Sequence, residues 1–147
     1  MEINLAGVLP EALLIDLPEI DVQHEEIFRR IESLKAACFG SGPVPLEDFQ
    51  GLLDYLKHHF ATEEQVALEA AADFVDHAKV HRENLHALRR AFGEVRHGKR
   101  DVHSFLRYAE YWFERHINEE DKPFAASVRA CRLKSSTAPQ LVASLQA

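Results

Sequence analysis

The composition of this 147-residue chain already excludes several classes of protein. Hydrophobic residues make up 46 % of the sequence and charged residues 28 %, which is ordinary for a single soluble domain with a sizeable core. The formal net charge of -7 argues against nucleic acid and against an anionic membrane surface as partners.

The N-terminal segment lacks the pattern of a targeting signal. It carries acidic residues and no lysine or arginine before Pro18, so the positive region of a secretory signal is missing. No apolar run approaches the roughly 18 residues of a membrane-spanning helix. Cys38 and Cys131 lie in no disulfide-rich or metal-binding pattern, so free thiols are expected, with a disulfide or redox pair as the weaker alternative. We therefore expect a cytoplasmic protein.

The first two helical segments are marked by apolar residues that recur at helical spacing. The first runs from about Asp21, a good N-cap residue, to Phe39. It should end at Gly40–Pro43, because glycine permits a left-handed cap and proline cannot continue a helix. The second runs from about Leu46 to Ala70. The residues expected to face the core in these two segments are Ile27, Phe28, Ile31, Leu34, Phe49, Leu52, Leu53, Leu56, His59 and Phe60.

Two further segments have the same periodicity. The third runs from about Val75 to His97 and closes at Gly98. The fourth opens at Asp101, another good N-cap residue, and should loosen near Asn118 because Pro123 lies just beyond. Their core-facing residues are expected to be His77, Val80, His81, Leu85, Leu88, Phe92, Phe105, Leu106, Ala109, Trp112, Phe113 and His116.

Four helices joined by short loops predict an all-α fold, an up-down-up-down antiparallel four-helix bundle with a short C-terminal extension. We place the bundle in residues 1–132, where a short final helix or turn follows the fourth segment. Residues 133–147, with a Ser-Ser-Thr sequence and Pro139, are predicted to form a tail that is disordered or packed as a short helix.

Five histidines and two acidic residues fall at spacings that suit a metal centre. His59 and Glu63 are four residues apart, so a helix places both on one face, and His77 and His81 repeat that spacing. His116 and Asp121 are five residues apart, on either side of the expected end of the fourth helix. Imidazoles combined with carboxylates suit redox-active first-row metals better than magnesium or calcium. The seven candidate ligands are His24, His59, Glu63, His77, His81, His116 and Asp121.

The alternative to metal binding is that each histidine is an ordinary core or surface residue. A bundle has little reason to bury five imidazoles, because the polar edge of each needs a partner. His58 is set aside because Thr62, four residues on, is a poor ligand, so its side chain should point away from the core. Glu120 is the nearest rival to Asp121 but is expected to be exposed. Three histidines without a paired ligand should lie at the surface or at helix ends: His86, His97 and His103.

The order, spacing and flanking residues of these motifs resemble the hemerythrin family, especially the bacteriohemerythrins. The likeness extends from about Leu13 to Ser127. The segments that carry it are Ile20–His24, His59–Glu64, His77–His81 and His116–Lys122.

The resemblance implies two iron ions joined by an oxo or hydroxo bridge. His77, His81 and His116 would hold one iron. His24 and His59 would hold the other, leaving it an open position where dioxygen binds. Both irons would share the carboxylates of Glu63 and Asp121.

Apolar side chains around the open position would keep out bulk water. Plain core packing is the alternative for the six candidates, which are Ile27, Phe28, Phe60, Trp112, Phe113 and Ile117. The wall departs from the family pattern at Ala67, where methionine is common, and at Phe113, where leucine is usual. Other departures are Leu13–Ile15 in place of a tryptophan and Asp73–Val75 in place of a Tyr-Pro turn.

The function that the resemblance implies is reversible dioxygen binding by an oxygen carrier, store or scavenger. One alternative is an oxygen or redox sensor that acts through a partner protein, with residues 133–147 as the docking segment. Another is a di-iron enzyme, such as a peroxidase or a nitric-oxide-handling catalyst, and the last is a bundle without a functional metal. No Cys-His or Ser-His pair suggests a nucleophile, and no unassigned carboxylate suggests a general base, which favours binding over turnover.

Overall fold

The computed structural model describes residues 9–40 and 42–146, with side chains as far as Lys134. Throughout these residues the regular structure is helical, without a strand. The α-helices are α1 (Pro18–Ala37), α2 (Leu46–Ala70), α3 (Val75–Arg96), α4 (Val102–His116) and α5 (Lys122–Gln146). None of the described helices combines the length and the apolar character needed to cross a bilayer.

The first four helices form a bundle around one core. α1 packs against α2 and α4, and α3 packs against the same two helices, so the four form a ring in which sequence neighbours run antiparallel. This arrangement confirms the predicted all-α four-helix bundle. A short 3-10 helix (Glu11–Leu13) precedes α1, and Leu13, Ile15 and Leu17 add buried side chains to the core.

The start and the end of α1 differ from the prediction. The helix begins three residues before Asp21, at Pro18, whose fixed φ and missing N–H suit the first helical position. The Asp21 carboxylate instead accepts a hydrogen bond from the Ile15 N–H at 2.9 Å. At the other end the helix stops at Ala37, and Gly40 does not adopt the left-handed conformation that we expected of it. Ser41 of the predicted Gly40–Pro43 turn lies outside the described residues.

The limits of the next three helices agree closely with the prediction. α2 has the predicted ends, and its chain turns through Ala71, which has a left-handed φ of 58°. α3 closes at Gly98, which has a φ of 73°. At the start of α4 the Asp101 carboxylate accepts a hydrogen bond from the Ser104 N–H, which confirms the predicted N-cap.

The end of α4 agrees with the prediction in its position but not in its form. The chain does not leave the helix near Asn118 but passes through a π-helical segment (Ile117–Asp121) directly into α5. Pro123 lies at the second position of α5, where the disrupted ladder accommodates its missing N–H. α5 continues past Arg132 to Gln146 without a break, so whether residues 133–147 act as a separate tail stays a prediction.

α5 is attached to the start of the bundle by two arginines. Arg129 donates a hydrogen bond to the Ile15 carbonyl at 2.5 Å, and Arg132 pairs with Glu19 at 2.7 Å. Between these two arginines, the Cys131 Sγ lies 3.9 Å from the Ala71 carbonyl. These contacts position α5 beside the α2–α3 turn.

Candidate metal centre

All four bundle helices send candidate ligands into one end of the core. α1 supplies His24, α2 supplies His59 and Glu63, and α3 supplies His77 and His81. The last two ligands, His116 and Asp121, lie at either end of the π-helical segment. The structure therefore brings all seven sequence-predicted residues together.

The π-helical segment explains how two residues five apart reach one site. In an α-helix, residues five apart differ by about 140° around the axis. A π-helical turn closes hydrogen bonds between residues five apart, so it brings His116 and Asp121 to the same side. Such turns are found frequently at functional sites.

The seven residues form two overlapping groups. One contains His77, His81 and His116, the other contains His24 and His59, and both include the two carboxylates, Glu63 and Asp121. Within each group the candidate ligand atoms lie within 4.8 Å of one another. His24, His59, Glu63 and Asp121 are fully buried, whereas the His77 side chain keeps 10 % of its surface exposed.

Each carboxylate directs one oxygen to each group. The Glu63 Oε1 lies 3.0 Å from His77 Nε2 and 3.2 Å from His81 Nε2, while its Oε2 lies 3.0 Å from His59 Nε2. The Asp121 Oδ1 lies 3.1 Å from His77 Nε2, and its Oδ2 lies 3.1 Å from His24 Nε2. This division is the arrangement that a carboxylate needs in order to bridge two cations.

Most of the buried atoms that face the centre lack hydrogen-bond partners, the exception being the pair of His77 Nε2 and Glu63 Oε1. They include the Nε2 atoms of four histidines, one oxygen of Glu63 and both oxygens of Asp121. Polar groups buried without partners cost free energy and are rare in folded proteins. Donors of this type, nitrogen and carboxylate oxygen, are the ones that first-row metal ions take up. The residues present therefore fit a metal centre.

The two carboxylates carry negative charge in spite of their burial. Burial by itself would raise the pKa of Glu63, but the neighbouring imidazoles of His59 and His24 hold that pKa well below its usual value. The pKa of Asp121 is lowered in the same way, since His116 and His24 outweigh burial and the repulsion from Glu63. The site consequently offers two anionic groups to a cation.

The imidazoles respond to those charges in two ways. Burial lowers the pKa of His24 and of His77, but the adjacent carboxylates of Asp121 and Glu63 outweigh it and raise both pKa values to about 9. For His59 burial prevails, and its pKa is lowered. Metal binding must therefore displace protons from part of the metal-free site.

Two residues that support the ligands were not identified from the sequence. The His59 Nδ1–H points at the Gln23 Oε1 at 2.7 Å, which leaves its Nε2 free to face the centre. Glu120 was expected to be exposed, but its side chain is 34 % exposed and its carboxylate accepts a hydrogen bond from His116 Nδ1. The four-residue spacing of His116 and Glu120 could have indicated this pair. Gln23 comes from another helix than His59, so no local spacing indicates it.

The histidines that were set aside lie outside the centre. His58 is exposed, and its Nε2 lies 3.5 Å from the Gln23 Nε2. His97 caps the end of α3, with its Nδ1 2.8 Å from the Gly93 carbonyl. Two others are also exposed, namely His86 and His103.

Aromatic rings surround both groups of ligands. The Phe113 ring centroid lies 5.2 Å from that of His24 and 6.2 Å from that of His59, with Phe28 behind it at 5.3 Å. Ile27 and Ile117, also predicted as wall residues, have no exposed surface.

The other two predicted wall residues lie beside the three-histidine group. Phe60 stacks on His81 at 3.9 Å, and Trp112 stacks on His116 at 5.4 Å. Ala67 is 1 % exposed.

Two surface pockets reach the ligands of the three-histidine group. A pocket of about 310 Å³ between α2 and α3 is lined by Phe60, His81 and Arg82. Another, of about 390 Å³, is lined by His77, Glu120 and the acidic side chains of the α2–α3 turn. A small molecule from solvent can therefore come close to this half of the centre.

A comparison with known proteins agrees with this geometry. The family model described as the hemerythrin HHE cation binding domain matches residues 16–127. The matched range contains all seven candidate ligands. No curated protein matches the chain.

Proposed function

Because the chain belongs to the hemerythrin HHE cation-binding domain family, we propose that it holds two iron ions and binds dioxygen reversibly at them. One observation carries this proposal: Glu63 and Asp121 each direct one oxygen to the three-histidine group and the other to the two-histidine group. Two shared carboxylates are needed only where two cations lie side by side.

The histidine ligands would be divided unequally between the two ions. His77, His81 and His116 would hold one ion, and His24 and His59 would hold the other. The second ion would have one imidazole fewer, so it would keep a position for an external ligand. Two ferrous ions held by these residues would supply the two electrons that dioxygen takes up on binding. Glu63 and Asp121 together offset half of the four positive charges of such a pair.

The residues around the two-histidine group favour binding over release of reduced oxygen. Phe113 lies edge-on against His24 and His59, and Phe28 backs it. These buried rings exclude bulk water, and with it the protons that promote oxidation of the centre. A reversible oxygen-binding protein needs such a dry environment.

The test is anaerobic loading with Fe²⁺, followed by admission of air and then by removal of oxygen. We expect about two irons per chain, as in other di-iron bundles, and visible absorbance bands that appear with oxygen and disappear without it. Loading below about one iron per chain would contradict the metal centre. Bands that bleach at once, with repeated turnover of added peroxide, would instead identify an enzyme.

A further inference from the structure

Two of the candidate ligands have outer hydrogen-bond partners of different charge. The Nδ1–H of His116 points at the carboxylate of Glu120, whereas the Nδ1–H of His59 points at the amide of Gln23. In both rings the Nε2 atom faces the centre without a hydrogen-bond partner. The two halves of the centre therefore differ in more than the number of their histidines.

We infer that Glu120 is a positioning residue that makes His116 a stronger electron donor than His59, so that the three-histidine metal is the more readily oxidised of the two. This inference rests on the proposed two-metal centre. It adds a specific role for a residue that lies outside the set of ligands.

The position of Glu120 suits this role. It lies in the π-helical segment four residues after His116, so the backbone fixes the pair. Its side chain is one-third exposed, so water still solvates its carboxylate while one oxygen contacts the His116 Nδ1. Its neighbour Glu119 is 61 % exposed and pairs instead with Arg115 at 3.6 Å.

Gln23, the partner of His59, increases the electron density of the imidazole less than a carboxylate would. Gln23 is a neutral acceptor, and its own amide N–H is committed to the Thr62 hydroxyl at 3.0 Å. An amide orients the His59 ring and selects its tautomer, but it adds no negative charge. A carboxylate also orients the ring and selects its tautomer. In addition, its negative charge draws the Nδ1 proton toward the carboxylate and raises the electron density at Nε2.

A donor of greater electron density stabilises the oxidised metal more than the reduced one. Removal of the Glu120 charge should therefore raise the reduction potential of the centre and weaken its hold on a divalent ion. Partners of this kind change metal affinity by roughly 10- to 100-fold in other proteins. A residue that only filled space or stabilised the helix would leave the potential unchanged.

The test compares three variants of the full chain. Glu120→Gln removes the charge but keeps an acceptor, so His116 then has the same type of partner as His59. Glu120→Asp keeps the charge on a shorter side chain. Glu119→Gln removes an equal charge from the adjacent residue, which does not contact a ligand, and is the matched control.

Three measurements are made on each protein. Titration with Co²⁺ against a competing chelator should show affinity at least roughly 10-fold lower for Glu120→Gln than for wild type, with Glu119→Gln unchanged. Spectroelectrochemistry of the iron-loaded proteins should show a higher reduction potential for Glu120→Gln and an intermediate one for Glu120→Asp. The proton spectrum of the Co²⁺ form should show one imidazole N–H signal that moves in Glu120→Gln and keeps its wild-type position in Glu119→Gln.

The inference is overturned if Glu120→Gln and Glu119→Gln have the same potential and the same Co²⁺ affinity. If Glu120→Gln does not fold, an unchanged potential in Glu120→Asp overturns the inference and a raised one supports it. Failure of the proposed function has another signature. In that case the wild type would bind Co²⁺ but its iron form would not respond reversibly to oxygen, while the Glu120 effect on affinity would persist.

Discussion

Both ends of the bundle core are buried, but aromatic side chains fill one end and polar side chains fill the other. At one end the rings of Phe49, Phe92 and Phe105 pack together, with the Phe49 and Phe92 centroids 5.7 Å apart and those of Phe49 and Phe105 5.8 Å apart. At the other end, His24 and Glu63 have no exposed surface, and both ring nitrogens of His24 and the Oε2 of Glu63 lack hydrogen-bond partners. Burial alone therefore does not distinguish a core from a site, whereas unpartnered polar atoms do.

The difference assigns separate tasks to the two ends. Buried aromatic rings gain free energy from leaving water, and their contacts are complete without any ligand. Buried imidazoles and carboxylates without partners cost free energy until a cation satisfies them. The apolar end should therefore hold the fold, and the polar end should gain stability only when it binds metal.

The largest effect is expected from removal of a ligand at the polar end. His59→Ala or Glu63→Ala should abolish stable metal loading, because each deletes an atom that the centre cannot replace. His58→Ala is the matched control, since the adjacent imidazole is exposed. Metal content per chain, measured after gel filtration, checks the prediction. Equal metal loss in all three variants would show that the assignment of ligands on α2 is wrong.

A smaller but still large effect is expected at the apolar end. Phe105→Ala should lower the free energy of unfolding by about 3–5 kcal/mol, because Phe105 is 1 % exposed and packs on two other rings. Denaturation in urea measures the change. The loss should be the same with and without metal. A loss confined to the metal-loaded form would mean that the two ends do not have separate tasks.

Most of this division could be predicted from the sequence, because it depends on local periodicity. Pairs such as His59 and Glu63, four residues apart within an apolar stripe, identify a polar site on the inner face of a helix. Both predicted ends of α2, Leu46 and Ala70, agree with the structure.

The errors arose where distant or unusual geometry decided the outcome. Pro123 predicted that α4 loosens near Asn118, but no local pattern indicated the π-helical segment through which the chain continues into α5. Asp21 was interpreted as an N-cap, but it binds the Ile15 N–H instead. The Gln23 partner of His59 comes from another helix, and contacts between helices cannot be derived from spacing along one of them.

Metal removal should sharpen the comparison further. With free metal about 100-fold above its dissociation constant, the unfolding free energy should rise by about 2.7 kcal/mol over that of the chelated protein. The physical reason is that metal binds the assembled ligands and not the unfolded chain. Thermal unfolding with and without a chelator checks this. The thermal midpoint could also stay the same in protein that is shown to hold metal. That result would contradict the view that the unpartnered polar atoms cost free energy until metal binds.

The smallest effect concerns the turns that close the two ends. α2 stops near the polar end at Ala71, and α3 stops at the apolar end at Gly98, both with left-handed backbone. The closing hydrogen bonds match, since Ala72 N–H bonds the Ala67 carbonyl at 2.9 Å and Lys99 N–H bonds the Glu94 carbonyl at 2.7 Å. Only the turn at the polar end carries a Cβ in this conformation, which is unfavourable for residues other than glycine.

Ala71→Gly should therefore raise the free energy of unfolding by about 1 kcal/mol, and Gly98→Ala should lower it by a similar amount. Chemical denaturation of the metal-free variants measures both changes against the same wild type. The signs must be opposite, because the two substitutions exchange the same pair of residues in the same backbone conformation. A loss of stability in both variants would show that contacts of the Ala71 methyl group outweigh its backbone strain, and that the turn beside the metal ligands is better packed than its conformation suggests.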